Sequence, residues 1–287
     1  MPYVIINTKL LESEKAFISY EDRGFRYGDG VFETIRVHGG VPYQFDWHME
    51  RLRKGLHAIK INANLHTLHE QCRKLLKENA VQDGVLRVQV TRGIGSKGYL
   101  PDSKHPKAGA TTVIETSGLP DRPDGAVPLW LSSYRKISPD SLPVQYKLCQ
   151  GLSSTLARIE AFEKGCFDAL LINQQGELCE TSSGNVFWAK DSILYTPALT
   201  CGALEGAMRA AILRLSPYEI REIRTGVESL TQADEVFICN ALWQVIPAAG
   251  LMPNNLRWKK SVSQKALHEL INSDIANYSL ANQLRWQ

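Results

Sequence analysis

Apolar positions in this chain fall into short runs separated by polar turns, and their period changes along the sequence. YVIIN (3–7) and AFISY (16–20) are β-type runs with a polar turn between them, which predicts a hairpin. After the turn Tyr27-Gly28-Asp29-Gly30, the stretch VFETIRV alternates Val31, Glu33 and Ile35 against Phe32, Thr34 and Arg36. That period of two predicts a strand with Glu33 and Thr34 set among large apolar residues, either merely half-buried or turned towards a pocket. Asp46 reads as the N-cap of a helix over 47–59, with Leu52, Leu56 and Ile59 at core spacing. His48 and Arg51, three apart, share one face of it. For a lone arginine on an amphipathic helix, solvation is the default. A second helix is predicted near 65–79, and strands at 84–93 and 110–117.

The Pro, Gly and Asp concentration in GLPDRPDGAVP (118–128) marks a boundary. It predicts a domain over 1–118, a linker over 119–127 and a second domain over 128–287. A strand at 129–136 precedes the breaker-rich ISPDSLPVQ, then Lys147, then a helix over 151–165 closed by Gly165. Phe167–Lys190 and the following ILYTP read as neighbouring antiparallel strands with tight turns. The middle one is interrupted by Glu180-Thr181-Ser182-Ser183-Gly184-Asn185, polar and small residues that fill a core badly. A solvated bulge accounts for this, and so does a carboxylate at the rim of a ligand site. Cys201–Arg209 feeds small residues into the helix AMRAAILRL, whose unpaired N–H groups suit a phosphate. Asn240-Ala241 breaks an apolar run within 233–248, and a further helix is predicted at 261–273.

At 287 residues the chain is long enough for about two domains. A formal net charge of +3, with both signs mixed throughout, gives no basic block for nucleic acid. No apolar run approaches the ~20 residues that cross a bilayer, and the start lacks the pattern of a signal peptide. The six cysteines are scattered without metal-ligand spacing, so reduced thiols, no bound metal and a cytoplasmic location are expected. Gly93–Gly98 matches G-x-G-x-x-G after a strand but runs into Tyr99-Leu100-Pro101 instead of a helix. It therefore predicts a flexible loop over a site, not dinucleotide binding. A lysine such as Lys147 is ordinarily a surface residue; buried, its amine would become a carbonyl nucleophile.

Six stretches in order, DRGFRYGDGVFETIRV, HMERL, the Lys147 segment, ALLINQQGELCETSSGNVFW, LYTPALTCGALEGAMR and ADEVFICNALWQVIP, resemble the class IV (fold type IV) pyridoxal-phosphate enzymes. The resemblance implies an α+β, two-domain, D-amino acid aminotransferase-like fold, with a small N-terminal α/β domain and a larger β-rich C-terminal domain. It implies pyridoxal 5'-phosphate as cofactor, a small-molecule amine as substrate, and a homodimer. By position, Lys147 would carry the cofactor and move the substrate proton. Glu180 would face the pyridine nitrogen. Arg51, the N–H groups of Ala207 and Met208, and Asn240 would hold the phosphate. Tyr27, Glu33 and Thr34 would line the pocket, and Arg92, Lys97 and Tyr99 would meet a substrate carboxylate. Cys239-Asn240-Ala241 and the loop VTRGIGSKGY look like the aminodeoxychorismate lyases, which form p-aminobenzoate for folate synthesis. Leu148, Cys149 and Gln150 depart from those lyases. The alternatives are a class IV aminotransferase for D-amino or branched-chain amino acids and, further off, a non-catalytic cofactor-binding protein.

Overall fold

A computed structural model describes residues 2–101 and 109–287. Part of the Pro/Lys-rich loop expected after Pro101 lies outside the described residues. The chain divides into two compact units.

Unit 1 comprises Met1–Leu119, Tyr146–Gln150 and Ile275–Gln287. Its elements are β1 (Tyr3–Ile6), β2 (Lys9–Glu12), α1 (Arg23–Tyr27), β3 (Gly30–His38), β4 (Val41–Pro42), α2 (Phe45–Ala58), α3 (Leu68–Glu78), β5 (Gly84–Thr91) and β6 (Thr111–Ser117). The strands form an antiparallel sheet ordered β2-β1-β6-β5-β3-β4. Alternation in β3 turns Val31, Glu33, Ile35 and Val37 inward. There the apolar ones pack with Leu86, Val88 and Val90 of β5, Leu52 and Leu56 of α2, and Leu75 of α3. Each fully buried side chain of this kind contributes roughly 2 kcal/mol.

Two local expectations are corrected. The partner of β1 is KLLE, not AFISY, because Asn7 and Thr8 both take positive φ and close a two-residue hairpin. Phe17, Ile18 and Tyr20 are left exposed in an irregular segment. Asp46 is not the cap of α2: Gln44, at φ 53°, turns the chain into the helix. Asp46 lies in the first turn, where it accepts from Arg285 at 2.6 and 2.8 Å.

A sequential boundary misses two returning segments of unit 1. Phe32 N–H donates to the Lys147 carbonyl and Cys149 N–H to the Gly30 carbonyl, both at 2.9 Å. The Lys147 segment thus lies along the part of the β3 edge that the two-residue β4 leaves uncovered. Trp286, near the C-terminus, packs edge-on against Phe45 with ring centroids 4.8 Å apart.

Unit 2 comprises Pro120–Gln145 and Gly151–Asp274. It contains β7 (Val127–Arg135), α4 (Leu152–Glu163), β8 (Asp168–Ile172), β9 (Leu178–Thr181), β10 (Asn185–Lys190), β11 (Ile193–Pro197), α5 (Ala207–Leu215), β12 (Ile220–Ile223), β13 (Glu235–Asn240), β14 (Gln244–Met252) and β15 (Leu256–Arg257). A long helix, α6 (Val262–Trp286), begins in unit 2 and ends among the residues of unit 1. It is about twice as long as the helix that the sequence predicts. The nine strands form one mixed sheet, ordered β12-β11-β10-β13-β14-β7-β8-β9, with β15 beside β14. The polar interruption at 180–185 divides the expected middle strand in two. β9 stays with β8 at one end of the sheet, and β10 pairs with β11 and β13 towards the other. The stretch is a corner, with Thr181 N–H donating to Gly184 O at 2.7 Å.

Candidate active site

Lys147 is placed by backbone pairing with β3, and its ammonium lies 4.5 Å from the centroid of the Phe32 ring. Gly55 on α2 makes room for this segment: a Cβ there would lie 3.2 Å from Tyr146 Cβ and from Val31 Cγ1. Two residues on, burial pushes the Cys149 thiol up to about 11. It is therefore a neutral thiol at physiological pH.

Arg51 is no solvated arginine. The inward side of β3 presents Glu33 to α2. Arg51 donates Nε–H to Glu33 Oε1 at 2.7 Å and Nη2–H to Oε2 at 2.5 Å. His48 Nδ1 lies 2.6 Å from the same Oε2. All three side chains are at least 95% buried. Burial would raise the Glu33 carboxyl, but the charges of Arg51 and His48 and their hydrogen bonds outweigh it, leaving the carboxyl at about 2. Burial holds His48 below its ordinary value, against the pull of the Glu33 carboxylate. The guanidinium plane also lies 4.8 Å from the Trp47 ring centroid. Arg51 is thereby oriented, and Glu33 is its anchor. The sequence pointed to the His48/Arg51 face of α2; that Glu33 meets it is a tertiary fact.

In unit 2, Glu180 sits on β9 opposite Leu171 of β8 and is 5% exposed. Its Oε2 accepts from Leu204 N–H at 2.9 Å and lies 3.5 Å from Asn185 Nδ2, while Lys136 pairs with Oε1. Asn185 also donates to Leu204 O at 2.9 Å. It thus ties the carboxylate to the turn that leads into α5. The N-cap of α5 is Gly206, with no side-chain cap, and Ala207 and Met208 are buried. A buried helix start without a cap leaves its first N–H groups for an outside acceptor, favoured when anionic. The glycine is required, because a Cβ on Gly206 would lie 2.1 Å from Asn185 Oδ1. A buried carboxylate and an uncapped helix start are thus joined through one asparagine. These residues fit a ring nitrogen and a phosphate. Lys136 and Asn185 were not expected; Lys136 lies 44 residues from its partner, and no sequence pattern links the two.

The remaining expected residues have other partners. Arg92 donates to both oxygens of Asp29 at 2.7 and 2.9 Å and to the carbonyls of Lys60 and Ile59 at 2.8 Å. Burial would raise Asp29, but hydrogen bonds from Arg92 and Arg23 hold it low. Arg92 therefore braces the fold through Asp29 and the end of α2. Arg23 donates to the carbonyls of Ser96, Gly98 and Tyr99, which straps down the loop expected to be flexible. The Tyr27 hydroxyl accepts from Gly98 N–H at 2.8 Å, and its ring lies 5.8 Å from that of Tyr99. Lys97 and Tyr99 are exposed, and Thr34 is half-buried on the β3 face that also carries Phe32. Asn240 Oδ1 accepts from Leu242 and Trp243 N–H, and its Nδ2 donates to Ser183 O. Its carboxamide holds the β13–β14 turn.

The family model described as "Amino-transferase class IV" matches residues 30–251. The chain belongs to this family. The family spans more than one chemistry. Aminodeoxychorismate lyase of Bacillus subtilis (strain 168) is 30% identical over 283 residues, covering 96% of this chain and 95% of that protein. D-alanine aminotransferase of Bacillus licheniformis is 30% identical over 256 residues, covering 86% and 88%. The crystal structure of 4-amino-4-deoxychorismate lyase from Pseudomonas aeruginosa shares the fold, with a TM-score of 0.81 at 27% identity and coverage of 94% and 98%. The chain is accordingly a class IV enzyme with the type IV fold.

Proposed function

We propose that this class IV enzyme binds pyridoxal 5'-phosphate and acts as a 4-amino-4-deoxychorismate lyase, releasing pyruvate and p-aminobenzoate. One observation carries the cofactor: a buried carboxylate, Glu180, tied through Asn185 to the uncapped start of α5. The cofactor, when bound, supplies an electron sink for the carbanion at the substrate carbon that bears nitrogen. Glu180 offers a charged acceptor to the ring nitrogen, which a protonated ring needs. Phosphate-binding roles fall to the Ala207 and Met208 N–H groups, to Asn240, and to Arg51, whose guanidinium is aimed by Glu33. Lys147 Nζ would hold the cofactor carbonyl and then take the proton from the substrate carbon.

The lyase is favoured over an aminotransferase by the near full-length similarity to the lyase of Bacillus subtilis, against somewhat shorter coverage of the D-alanine aminotransferase. Tyr27, Lys97 and Tyr99 would contact the substrate, the two tyrosine rings lying side by side, with Thr34 on the half-buried face of β3. A cytosolic homodimer is part of the same reading. Phe17, Phe25, Tyr99 and Leu100 of unit 1, each at least 77% exposed, supply apolar surface for it.

The deciding assay gives the cofactor-loaded protein aminodeoxychorismate with no keto acid. Equal, continuing release of pyruvate and p-aminobenzoate is expected. Release of neither, with amino-group transfer once a keto acid is added, would assign the aminotransferase.

A further inference from the structure

We propose that Lys136 is a positioning residue for Glu180: its ammonium keeps the carboxylate ionised, so that the proton shared with the cofactor ring stays on the ring nitrogen. This rests on the reading of the chain as a pyridoxal-phosphate enzyme.

Lys136 directly follows β7, and its backbone N–H donates to Ile172 O at 2.9 Å, at the end of β8. From there the side chain crosses to Glu180 on β9, the strand paired with β8. The stem passes beside Gly202, where a Cβ would lie in ordinary contact, 3.4 Å from Lys136 Cγ. The Lys136 side chain is 13% exposed and that of Glu180 is 7% exposed, so this is no surface ion pair. Among the described residues, the hydrogen-bond partners of the carboxylate are all donors, namely the Lys136 ammonium, Leu204 N–H and Asn185 Nδ2. An ionised carboxylate has about four lone-pair sites and no proton to place. Three donors leave one acceptor direction for a ring N–H. A neutral carboxyl would have to donate its own proton, and none of these three groups accepts it.

Removing the ammonium changes the balance for the one proton between Glu180 and the ring nitrogen. Burial disfavours an unpaired carboxylate, so the proton moves from the nitrogen to the carboxyl oxygen. The total charge of the carboxyl and ring pair is conserved, and only the place of the proton differs.

The test loads the wild type, K136M and K136R with pyridoxal 5'-phosphate carrying 15N in the ring and reads the nitrogen shift by NMR. The wild type is expected at the protonated position, K136M displaced towards the unprotonated one, and K136R returned to the wild-type position. An unchanged shift in K136M with cofactor bound would overturn the proposal. A wild type that takes up no cofactor would instead sink the functional reading. In that event the apoprotein decides the pairing through a double-mutant cycle of unfolding midpoints over K136M, E180Q and K136M/E180Q. A lowered midpoint in K136M, recovered in the double variant, supports the pairing, and additive losses refute it. If K136M does not fold, folding of K136M/E180Q supports the pairing and its failure to fold refutes it.

Discussion

Lys147, Glu180 and Arg51 illustrate three ways in which a side chain becomes specific. Lys147 is set by backbone bonds to β3, so shortening its side chain should leave the fold intact. Lys147→Ala is expected to lose any borohydride-fixable attachment of the cofactor. A covalent chromophore that survives in that variant would assign the attachment to another amine. Glu180→Gln retains the shape and the Leu204 contact but cannot be a charged acceptor. Cofactor retention with a loss of turnover on the order of 100-fold or more is expected, the scale of a lost preorganised electrostatic partner. Near-normal steady-state rates would remove its role at the ring nitrogen. Arg51 depends on Glu33, and Glu33→Gln leaves a buried guanidinium without its counter-charge. A loss of about 3 kcal/mol in denaturant unfolding is expected for that variant.

At the scale of elements, the corner between β9 and β10 and the start of α5 make one device. The corner separates Glu180 from Asn185, and Asn185 spans back to the turn before the helix. A methyl group at position 206 would strike Asn185 Oδ1 and push these parts away from each other. Gly206→Ala is therefore expected to weaken pyridoxal-phosphate binding about tenfold or more, read as Kd by fluorescence, with the far-UV spectrum unchanged. Unaltered affinity would show that the α5 terminus does not hold the phosphate. The β1–β2 hairpin teaches a related lesson. The apolar pattern puts Asn7 in the first run and makes AFISY its partner strand, whereas Asn7 and Thr8 make the turn. Turn geometry and register decided for KLLE.

For the whole molecule, acid is the weak side. The Glu33 carboxyl titrates near 2 in the fold against an ordinary 4.5. Its contribution, roughly 3 kcal/mol, is complete above about pH 4.5 and is lost as the pH falls towards 2. His48 is also shifted down, from an ordinary 6.5, so its contribution likewise erodes as the pH falls below that value. Unfolding midpoints should thus decline from about pH 6.5 downwards, and Glu33→Gln should flatten the part below pH 4.5. A midpoint that rises on acidification would contradict this. Unit 1 is also discontinuous, taking Tyr146–Gln150 and Ile275–Gln287 from far along the chain. A fragment covering 1–119 lacks the β3 edge cover and Trp286, and it is expected to show non-cooperative thermal unfolding.

The alternation of β3, the spacing of α2, the polar break after Cys179 and the small residues before α5 were all readable from the sequence. Each is a local pattern, set by periodicity and turn chemistry within a few residues. Those patterns placed Lys147, Glu180, Arg51 and the α5 amides on their elements; the resemblance to the class IV enzymes is what singled them out beforehand. Only the tertiary structure put Glu33 against Arg51, turned Arg92 and Asn240 into struts, and brought Lys136 to Glu180. Those contacts join residues remote in sequence, or compete for the same donors and acceptors. Chain closure and complete hydrogen-bond pairing in a buried space decide them, and neither leaves a periodic trace in the sequence.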